Sequence, residues 1–422
     1  MDLIALAVPF FLLALLIELA IDRYRGSGLY RVNDAINSLS AGTLSTTIGY
    51  FTRLLPAVIW AHVLQNFAIF DVDPSWFDLS PSGLALWALA LLSFDFCYYW
   101  SHRMGHEISI LWASHAVHHQ SEDYNLSTAL RQTSTGFLFT WIFYLPLFVL
   151  GMPFEVFVTV NALDLIYQFW VHTQLVGKLG WMDRVFVTPS NHRVHHAQNA
   201  NYIDRNYGGI LILWDRLFGT FQEELDEEPV VFGVRKPLAN WNPFWANLQV
   251  YNYLWFDATR TRRWQDKIGV WIRRTGWRPA DVAEQYPKAA ANLAHFHKFD
   301  PPITPTMRRY IVGQFMLAAV GILWIGGLYA REGVAAVMVP CVMLWATLFG
   351  LGLISEGRGY ATRFELARLL VLMPAGVFAL DILGIVESAG MRAAWVGLVL
   401  YGAASLAVLT AASKSMPVAE LD

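Results

Sequence analysis

The sequence has few charged residues and almost no cysteine, and both shortages exclude classes of function. Charged side chains make up 15% of its 422 residues, against about a quarter in soluble domains, which argues against a soluble fold. Cys97 and Cys341 both lie in apolar runs, so they provide neither a disulfide framework nor a thiolate metal site. The chain also lacks the H-E-x-x-H motif of many zinc hydrolases. A net charge of −3 gives no reason to expect nucleic acid as a partner.

Apolar sequence is abundant instead: 55% of the residues are hydrophobic, and a helix needs roughly 20 apolar residues to cross a bilayer. Runs long enough, or nearly so, occupy 3–20, 83–100, 137–150, 154–171, 310–330, 333–353, 364–385 and 393–412. Residues 36–70, interrupted by Arg53 and Pro56, are expected to form a bent or re-entrant pair of helices. The first run lacks a basic lead and an A-x-A-type cleavage site, so we expect it to span rather than be cleaved. The fold class predicted is an all-α, polytopic membrane protein.

Composition predicts two domains. Residues 1–309 are expected to form a catalytic domain, with a histidine core at 95–221 and a polar cap at 222–309. Residues 310–422 are expected to form a C-terminal transmembrane block that has no convergent polar residues and serves as a scaffold. Between residues 172 and 309 lie 18 of the 30 Lys and Arg residues. The positive-inside rule therefore predicts that the site faces the cytoplasm, from a bacterial inner membrane or the endoplasmic reticulum.

One polar segment has a helical apolar stripe. Within residues 255–274, Trp264, Ile268, Trp271 and Ile272 fall at i, i+4, i+7 and i+8, while arginines and Asp266 occupy other positions. This pattern is typical of an amphipathic helix at a membrane interface. A helix that packs on the catalytic region would show it equally well.

Eight of the twelve histidines fall in three clusters that follow the ends of apolar runs. The clusters are His102 and His106 in H-x-x-x-H, His115, His118 and His119 in H-x-x-H-H, and His192, His195 and His196 in a second H-x-x-H-H. Residues four apart share a helix face, whereas adjacent histidines point about 100° apart. Adjacent histidines therefore suit two neighbouring metal ions better than one.

Eight imidazoles exceed the needs of one ion, and His172, at the end of an apolar run, is a natural ninth ligand. His62, His295 and His297 lie outside the pattern and are expected to be structural. Imidazole suits zinc, copper, iron and nickel alike. A dinuclear, histidine-rich site favours oxygen chemistry with a metal that changes valence, so we predict two iron ions.

Carboxylates near the clusters are candidates to orient the histidine rings, because a metal-bound histidine usually donates its other N–H to a neighbour. Glu107 follows His106 directly, and Asp95 and Asp164 precede His102 and His172 by seven and eight residues. Helix capping or solvation would explain each of them as well. Asn125 and Arg131 are expected either to line the mouth of the site or to make structural contacts.

These motifs resemble the fatty acid hydroxylase (sterol desaturase) superfamily of membrane di-iron oxygenases. The hallmark of that superfamily is H-x-x-x-H, H-x-x-H-H and a final H-x-x-H-H. The stretches "HAVHHQSEDYNLSTALRQ" (115–132) and "TPSNHRVHHAQNANYIDRNYGGILILWDRLFGTF" (188–221) are most similar to members that cleave ether lipids. The similarity continues into the C-terminal helices and covers nearly the whole chain.

The resemblance implies that the eight motif histidines ligate iron, that His172 is the superfamily's less regular histidine, and that Glu107 matches a glutamate needed for activity. It also implies an O₂-dependent monooxygenase that hydroxylates an alkylglycerol beside its ether oxygen. The resulting hemiacetal would collapse to a fatty aldehyde and a glycerol derivative. The partners implied are a lipid substrate, O₂, the bilayer and an external electron donor, either tetrahydrobiopterin or a protein such as cytochrome b5.

Two alternatives remain open from the sequence. The same centre could hydroxylate or desaturate a fatty acyl, sterol or carotenoid lipid. A metal transporter is a more distant possibility, because transporters carry ionisable residues near the bilayer midplane within discontinuous helices, whereas these histidines follow the ends of apolar runs.

Overall fold

The structure is a computed structural model that describes residues 3–386 and 388–413. Within these residues the secondary structure is helical, with three isolated β-bridges and no strand. The α-helices are α1 (Leu3–Arg25), α2 (Val32–Thr52), α3 (Leu54–Phe67), α4 (Pro81–Glu107), α5 (Ser109–His119), α6 (Leu126–Ala129), α7 (Leu145–Val149), α8 (Phe154–Trp170), α9 (Pro189–His195), α10 (Leu213–Leu217), α11 (Pro243–Arg260), α12 (Trp264–Ile272), α13 (Ala280–Gln285), α14 (Pro305–Glu332), α15 (Val334–Ser355), α16 (Ala361–Ala367), α17 (Met373–Ile382) and α18 (Ser388–Ser413).

The predicted all-α, multi-pass architecture is confirmed. Among the described residues, α4, α14, α15 and the part of α18 at Gly390–Ala411 are long and apolar enough to span a membrane. Helices α2 and α3 would add a fifth crossing if they form one broken span. The break falls at Arg53 because Pro56 has no N–H to donate and its ring would clash with the carbonyl of Thr52.

Three of the predicted apolar runs fold into shorter or interrupted helices. The run 137–150 forms two 3₁₀ segments followed by the five-residue α7, which begins at a proline-containing turn. Helix α8 has 17 residues, slightly fewer than the usual span. The run 364–385 is divided by a π-helical turn at Arg368–Leu372, between α16 and α17. Apolar composition alone does not reveal such interruptions.

The chain divides into two compact units. The first contains the residues up to Arg31, Thr52–Leu238 and Asn247–His297. Its apolar core is formed by α4, α7 and α8, where Phe94, Phe148 and Val160 are completely buried. This packing fixes the positions of the C-terminal ends of α4 and α8 and of the polar residues that lie there.

The second unit contains Val32–Phe51, Ala239–Ala246 and the chain from Lys298 onward. Ile311 of α14 and Leu348 of α15 are buried in its core. On α14, by contrast, Val320 and Leu323 are each more than 60% exposed. Apolar side chains that face outward along a long helix are expected of a lipid-facing surface.

A buried polar network inside the second unit corrects the expectation that the C-terminal block has no convergent polar residues. The guanidinium of Arg368 donates to both carboxylate oxygens of Glu365, to Thr347 Oγ1 and to Gln314 Oε1. The hydroxyl of Tyr310 also donates to Glu365. These side chains come from helices that are far apart in sequence, so no local sequence motif predicts the network.

Candidate metal centre

The histidines lie on four elements that end at one place in the first unit. Helix α4 carries His102 and His106 on its last turns, and α5 carries the first H-x-x-H-H cluster. Helix α9 and its C-cap carry the second cluster, and His172 follows the end of α8. Since α4 and α8 are fixed by the apolar core, their last residues are held against the two short helices.

The nine histidines form two groups, each with ligand atoms that lie within 4.8 Å of one another. The group of five is His102, His106, His115, His119 and His195. The group of four is His118, His172, His192 and His196. The two members of each adjacent pair therefore belong to different groups, as expected from their divergent directions on a helix.

The distances between ring nitrogens match those of neighbouring ligands on one ion. In the group of five, the Nε2 atom of His115 lies 3.0 Å from the Nε2 atoms of His102 and His119. In the group of four, the successive Nε2–Nε2 distances from His118 through His172 and His192 to His196 are 3.1, 3.1 and 3.2 Å. With metal–nitrogen bonds of about 2.1 Å, ligands at 90° are separated by about 3.0 Å and tetrahedral ligands by about 3.4 Å. The observed spacing is therefore within the range of ligands that share one ion.

Backbone carbonyls hold the outer nitrogen of four rings. The Nδ1 atoms of His102, His118, His172 and His195 lie 2.8–2.9 Å from the carbonyl oxygens of Tyr207, Arg131, Gln168 and Arg205. A carbonyl only accepts, so each Nδ1 must carry the proton, and the neutral ring then has a bare Nε2. This arrangement fixes the tautomer that a metal requires.

The inner nitrogens need a cation. His118 and His172 both have an Nδ1 that donates to a carbonyl, so two bare Nε2 lone pairs face each other at 3.1 Å. Within the described part of the chain, the Nε2 atoms of His106 and His195 are buried without a hydrogen-bond partner. Buried polar atoms are normally paired. The residues present therefore fit metal ions.

The imidazoles are neutral at physiological pH, which is the form that binds metal. Burial, partly offset by its bond to the Arg131 carbonyl, lowers the pKa of His118 to about 4. Burial, and next the charge of neighbouring imidazoles, holds the pKa values of His192 and His196 well below the ordinary value of 6.5. No proton thus competes with a metal near neutral pH.

Comparison with known proteins identifies the family. Residues 87–220 match the family model for fatty acid hydroxylase. Alkylglycerol monooxygenase of Danio rerio is 36% identical over 377 residues, which cover 87% of this chain and 80% of that protein. The alkylglycerol monooxygenases of Homo sapiens and Xenopus tropicalis are each 34% identical over 88% of this chain, and the alignments cover 82% and 81% of their lengths. The chain belongs to the fatty acid hydroxylase family. No solved structure matches it.

Membership of this family makes the chain a membrane lipid monooxygenase, an O₂-dependent oxidoreductase, as its motifs predicted. The histidine groups and the family together indicate a metal centre. Neither a metal transporter nor the other lipid reactions considered above is favoured by these relatives.

The three carboxylates predicted from the sequence contact groups around the histidines. Asp95 accepts from the backbone N–H groups of Ile210 and Leu211 and from the Trp214 indole, at 2.8–3.2 Å. Asp164 accepts from the side-chain amide of Gln168, and the backbone carbonyl of Gln168 accepts from His172 Nδ1. Both aspartates therefore hydrogen-bond to residues of the segments that hold the histidines, and not to the histidine rings themselves.

Glu107 is the last residue of α4 and pairs with a residue one turn earlier. Its carboxylate accepts from Arg103 Nε at 2.9 Å, and its side chain is 23% exposed. Its carbonyl accepts from the amide of Thr275 at 3.0 Å, which ties this end of α4 to the segment after α12. Glu107 thus lies at the edge of the histidine centre with a polar head that solvent can reach.

Asn125 and Arg131 make structural contacts. Asn125 caps α6, and its side-chain amide donates to the Leu29 carbonyl at 2.7 Å. The buried Arg131 donates through Nε to the Val117 carbonyl at 2.6 Å, and its own carbonyl receives His118 Nδ1. Its role is to hold the end of α5 and the ring of His118 together.

Two residues near the histidines were missed from the sequence. Tyr207 supplies the carbonyl that holds His102, and its ring centroid lies 5.3 Å from that of His106. Among the described residues its buried hydroxyl has no hydrogen-bond partner. Asp204 lies 3.9 Å from His106 Nδ1 and has a left-handed φ of 58°, which is uncommon outside glycine. The pair of glycines at 208–209 is the one sequence signal that the backbone of this segment packs closely against its neighbours.

Proposed function

We propose that this protein cleaves the O-alkyl ether bond of alkylglycerols, using O₂ and two iron ions. Two kinds of observation support the proposal. Three relatives that carry the name alkylglycerol monooxygenase align over about four-fifths of their own length. Bare imidazole nitrogens face one another in two groups, as the pair His118 and His172 illustrates most directly.

The five-histidine group would hold one iron and the four-histidine group the other. These ions, when bound, supply the reduction of O₂ and the transfer of one oxygen atom to a C–H bond. The chain's own share is to orient the rings through the carbonyls of Tyr207, Arg131, Gln168 and Arg205, and to exclude water around them. Insertion beside the ether oxygen yields a hemiacetal, which breaks down to a fatty aldehyde and a glycerol derivative.

Glu107 is proposed to act at the edge of this centre, and Asp95 and Asp164 to position the segments that hold the rings. The Glu107 carboxylate directly follows His106 and is partly exposed, so it can meet a polar head group that arrives from the membrane surface. Asp95 fixes the segment that follows Tyr207, and Asp164 fixes Gln168.

An apolar cleft of about 540 Å³ lies between α4 and α7, but we do not propose that it binds the alkyl chain. Trp100 lines that cleft and His102 follows two residues later, which places the two side chains about 200° apart around α4. The cleft therefore opens away from the histidines. The tail is expected to enter from another side.

The electrons are proposed to come from tetrahydrobiopterin, with a protein donor such as cytochrome b5 as the alternative. This choice depends on the resemblance to ether-lipid-cleaving members. The centre is proposed to face the cytoplasm from a bacterial inner membrane or the endoplasmic reticulum, because 18 of the 30 Lys and Arg residues lie between 172 and 309. We also keep the proposal that residues 1–309 carry catalysis and 310–422 form a membrane scaffold.

Turnover of a defined alkylglycerol tests the function. The purified chain is reconstituted in lipid nanodiscs with ferrous iron and receives tetrahydrobiopterin, reduced cytochrome b5 or no donor, and fatty aldehyde is measured. We expect pterin-dependent aldehyde that disappears in His195→Ala and persists in His297→Ala, an exposed histidine outside both groups. A preparation that holds two irons per chain and releases no aldehyde with either donor would contradict the ether-cleavage proposal.

A further inference from the structure

Helix α12 has its apolar and polar faces arranged opposite to the usual pattern of a surface helix. The residues it buries are Asp266, Gly269 and Val270. The apolar side chains Trp264 and Ile268 are 65% and 51% exposed. A helix of a soluble surface normally turns its apolar stripe inward, so this exposed stripe needs an apolar environment outside the protein.

The stripe continues along the whole helix. Ile272 is 63% exposed and Trp271 is half-buried, and positions 264, 268, 271 and 272 lie within about 100° of helix circumference. Tryptophan is enriched where a protein meets the level of lipid head groups. The exposed stripe is therefore of the kind that inserts shallowly into a bilayer surface.

Arginines flank this apolar stripe at both ends. Arg262 and Arg263 precede α12, and Arg273 and Arg274 follow it; all four are exposed. The side chain of Arg263 is 74% exposed and that of Arg274 is 71% exposed. Guanidinium groups bind phosphate oxygens well, and basic residues beside an apolar stripe favour anionic lipid surfaces.

The end of α12 is tied to the histidine centre. The Arg273 carbonyl accepts from the amide of Ser109 at 3.1 Å, at the junction between α4 and α5. The Arg274 guanidinium lies 4.0 Å from Asp204, whose carboxylate lies 3.9 Å from His106 Nδ1. A fixed depth for α12 would therefore also fix the level of the histidine centre.

We propose that α12 docks on the bilayer in which the protein resides, with Trp264, Ile268 and Ile272 among the upper acyl chains and the flanking arginines on anionic phospholipid head groups. The chain has several membrane-spanning helices, so a lipid surface is always beside it. Docking would hold the histidine centre at the level of lipid head groups, where the polar end of a lipid lies.

Spin-label accessibility tests the docking without measuring turnover. Ile268→Cys is labelled in nanodiscs that contain one chain and phosphatidylglycerol, and Glu227→Cys, at an exposed position of the same unit, serves as the control. The native Cys97 and Cys341 are buried, and the unsubstituted chain gives the labelling background. We expect the ratio of O₂ to nickel-reagent accessibility to be several-fold higher at 268 than at 227.

Three results would overturn the proposal. Equal ratios at 268 and 227 would mean that α12 faces water. A label at 268 that is protected only in discs with two chains, with dipolar broadening, would mean that a second copy covers it. The depth of the label at 268 could also stay the same when phosphatidylcholine replaces phosphatidylglycerol, and in the double variant Arg262→Gln, Arg263→Gln. That result would exclude binding of the arginines to anionic head groups. Supporting results are a reduced immersion in both of these cases and an unchanged metal content.

Discussion

Gly209 lies where the structure leaves no room for a side chain. A Cβ atom added there would lie 2.7 Å from Asp164 Oδ1, 2.9 Å from Tyr98 Cδ1 and 3.0 Å from Asp95 Oδ1. Ordinary contacts begin near 3.4 Å. Asp95 is held by three donors, so it cannot withdraw without the loss of a hydrogen bond. We therefore predict that Gly209→Ala is strongly destabilising.

The expected magnitude combines two effects. Overpacking of a buried site costs about 1–3 kcal/mol, and a lost hydrogen bond to a charged group costs about 1.5–3 kcal/mol. Since a shift of one group relieves part of the clash, we expect about 3 kcal/mol in all. For a domain of 150–250 residues that lowers the thermal midpoint by about 6–12 °C. Because the first unit is somewhat larger, we expect the lower end of that range. Relief of the clash would also shift the segment that holds Tyr207, two residues before Gly209, whose carbonyl accepts from His102 Nδ1. Loss of that hydrogen bond is expected to weaken metal binding about 10- to 100-fold.

The assay is thermal unfolding in mild detergent, together with iron retained after desalting. Gly177→Ala is the matched control, because an added Cβ there meets nothing within 4 Å and its φ is not left-handed. A Gly209→Ala protein with the thermal midpoint and iron content of Gly177→Ala would refute the packing argument.

Three further predictions concern the histidine centre. If each histidine group holds one iron, as proposed, His195→Ala and His196→Ala should each weaken a different ion and leave about one per chain, because these neighbours belong to different groups. Metal analysis that finds two or none in both variants would contradict the division. Tyr207→Phe should leave the thermal midpoint of the metal-free protein unchanged or raise it. The hydroxyl of Tyr207 has no partner in the described residues, and an unpaired buried group costs about 1–3 kcal/mol. A marked fall of the midpoint would contradict this and reveal a partner of the hydroxyl. The pKa of His118 is about 4 when folded and about 6.5 when unfolded. Between these values His118 binds a proton in the unfolded chain and not in the folded one, so it alone lowers the free energy of unfolding by about 1.4 kcal/mol per pH unit from pH 6.5 toward 4. The other buried histidines, such as His192 and His196, steepen that fall; a flat profile in metal-free denaturant titrations would contradict this.

The sequence predicts the membrane architecture and the histidine clusters well, because both depend on local spacing. The divergence of adjacent helix positions is enough to suggest two ions. It does not show that His119 joins His195 while His118 joins His196, because that pairing depends on how α5 and α9 cross. Tertiary packing decides which histidine faces which.

The sequence gives little information about what orients the rings. A sequence shows where carboxylates lie, and it therefore predicts that Asp95 and Asp164 orient the rings. The observed acceptors are backbone carbonyls, such as those of Tyr207 and Arg205. Every residue has a carbonyl, so residue identity says nothing about which one accepts. Such partners follow only from the path of the chain.

Two buried polar clusters in this chain differ in one decisive respect. In the second unit, both carboxylate oxygens of Glu365 accept hydrogen bonds, and Arg368 donates to three different side chains. Ionisable groups at membrane depth often mark functional sites, but this network satisfies its own members, as a structural network must. The histidine groups in the first unit leave the inner nitrogens of His106 and His195 without a partner in the described residues. Burial alone therefore does not distinguish a metal centre from a structural network. The unsatisfied lone pairs do, and they indicate that the histidines form the metal centre.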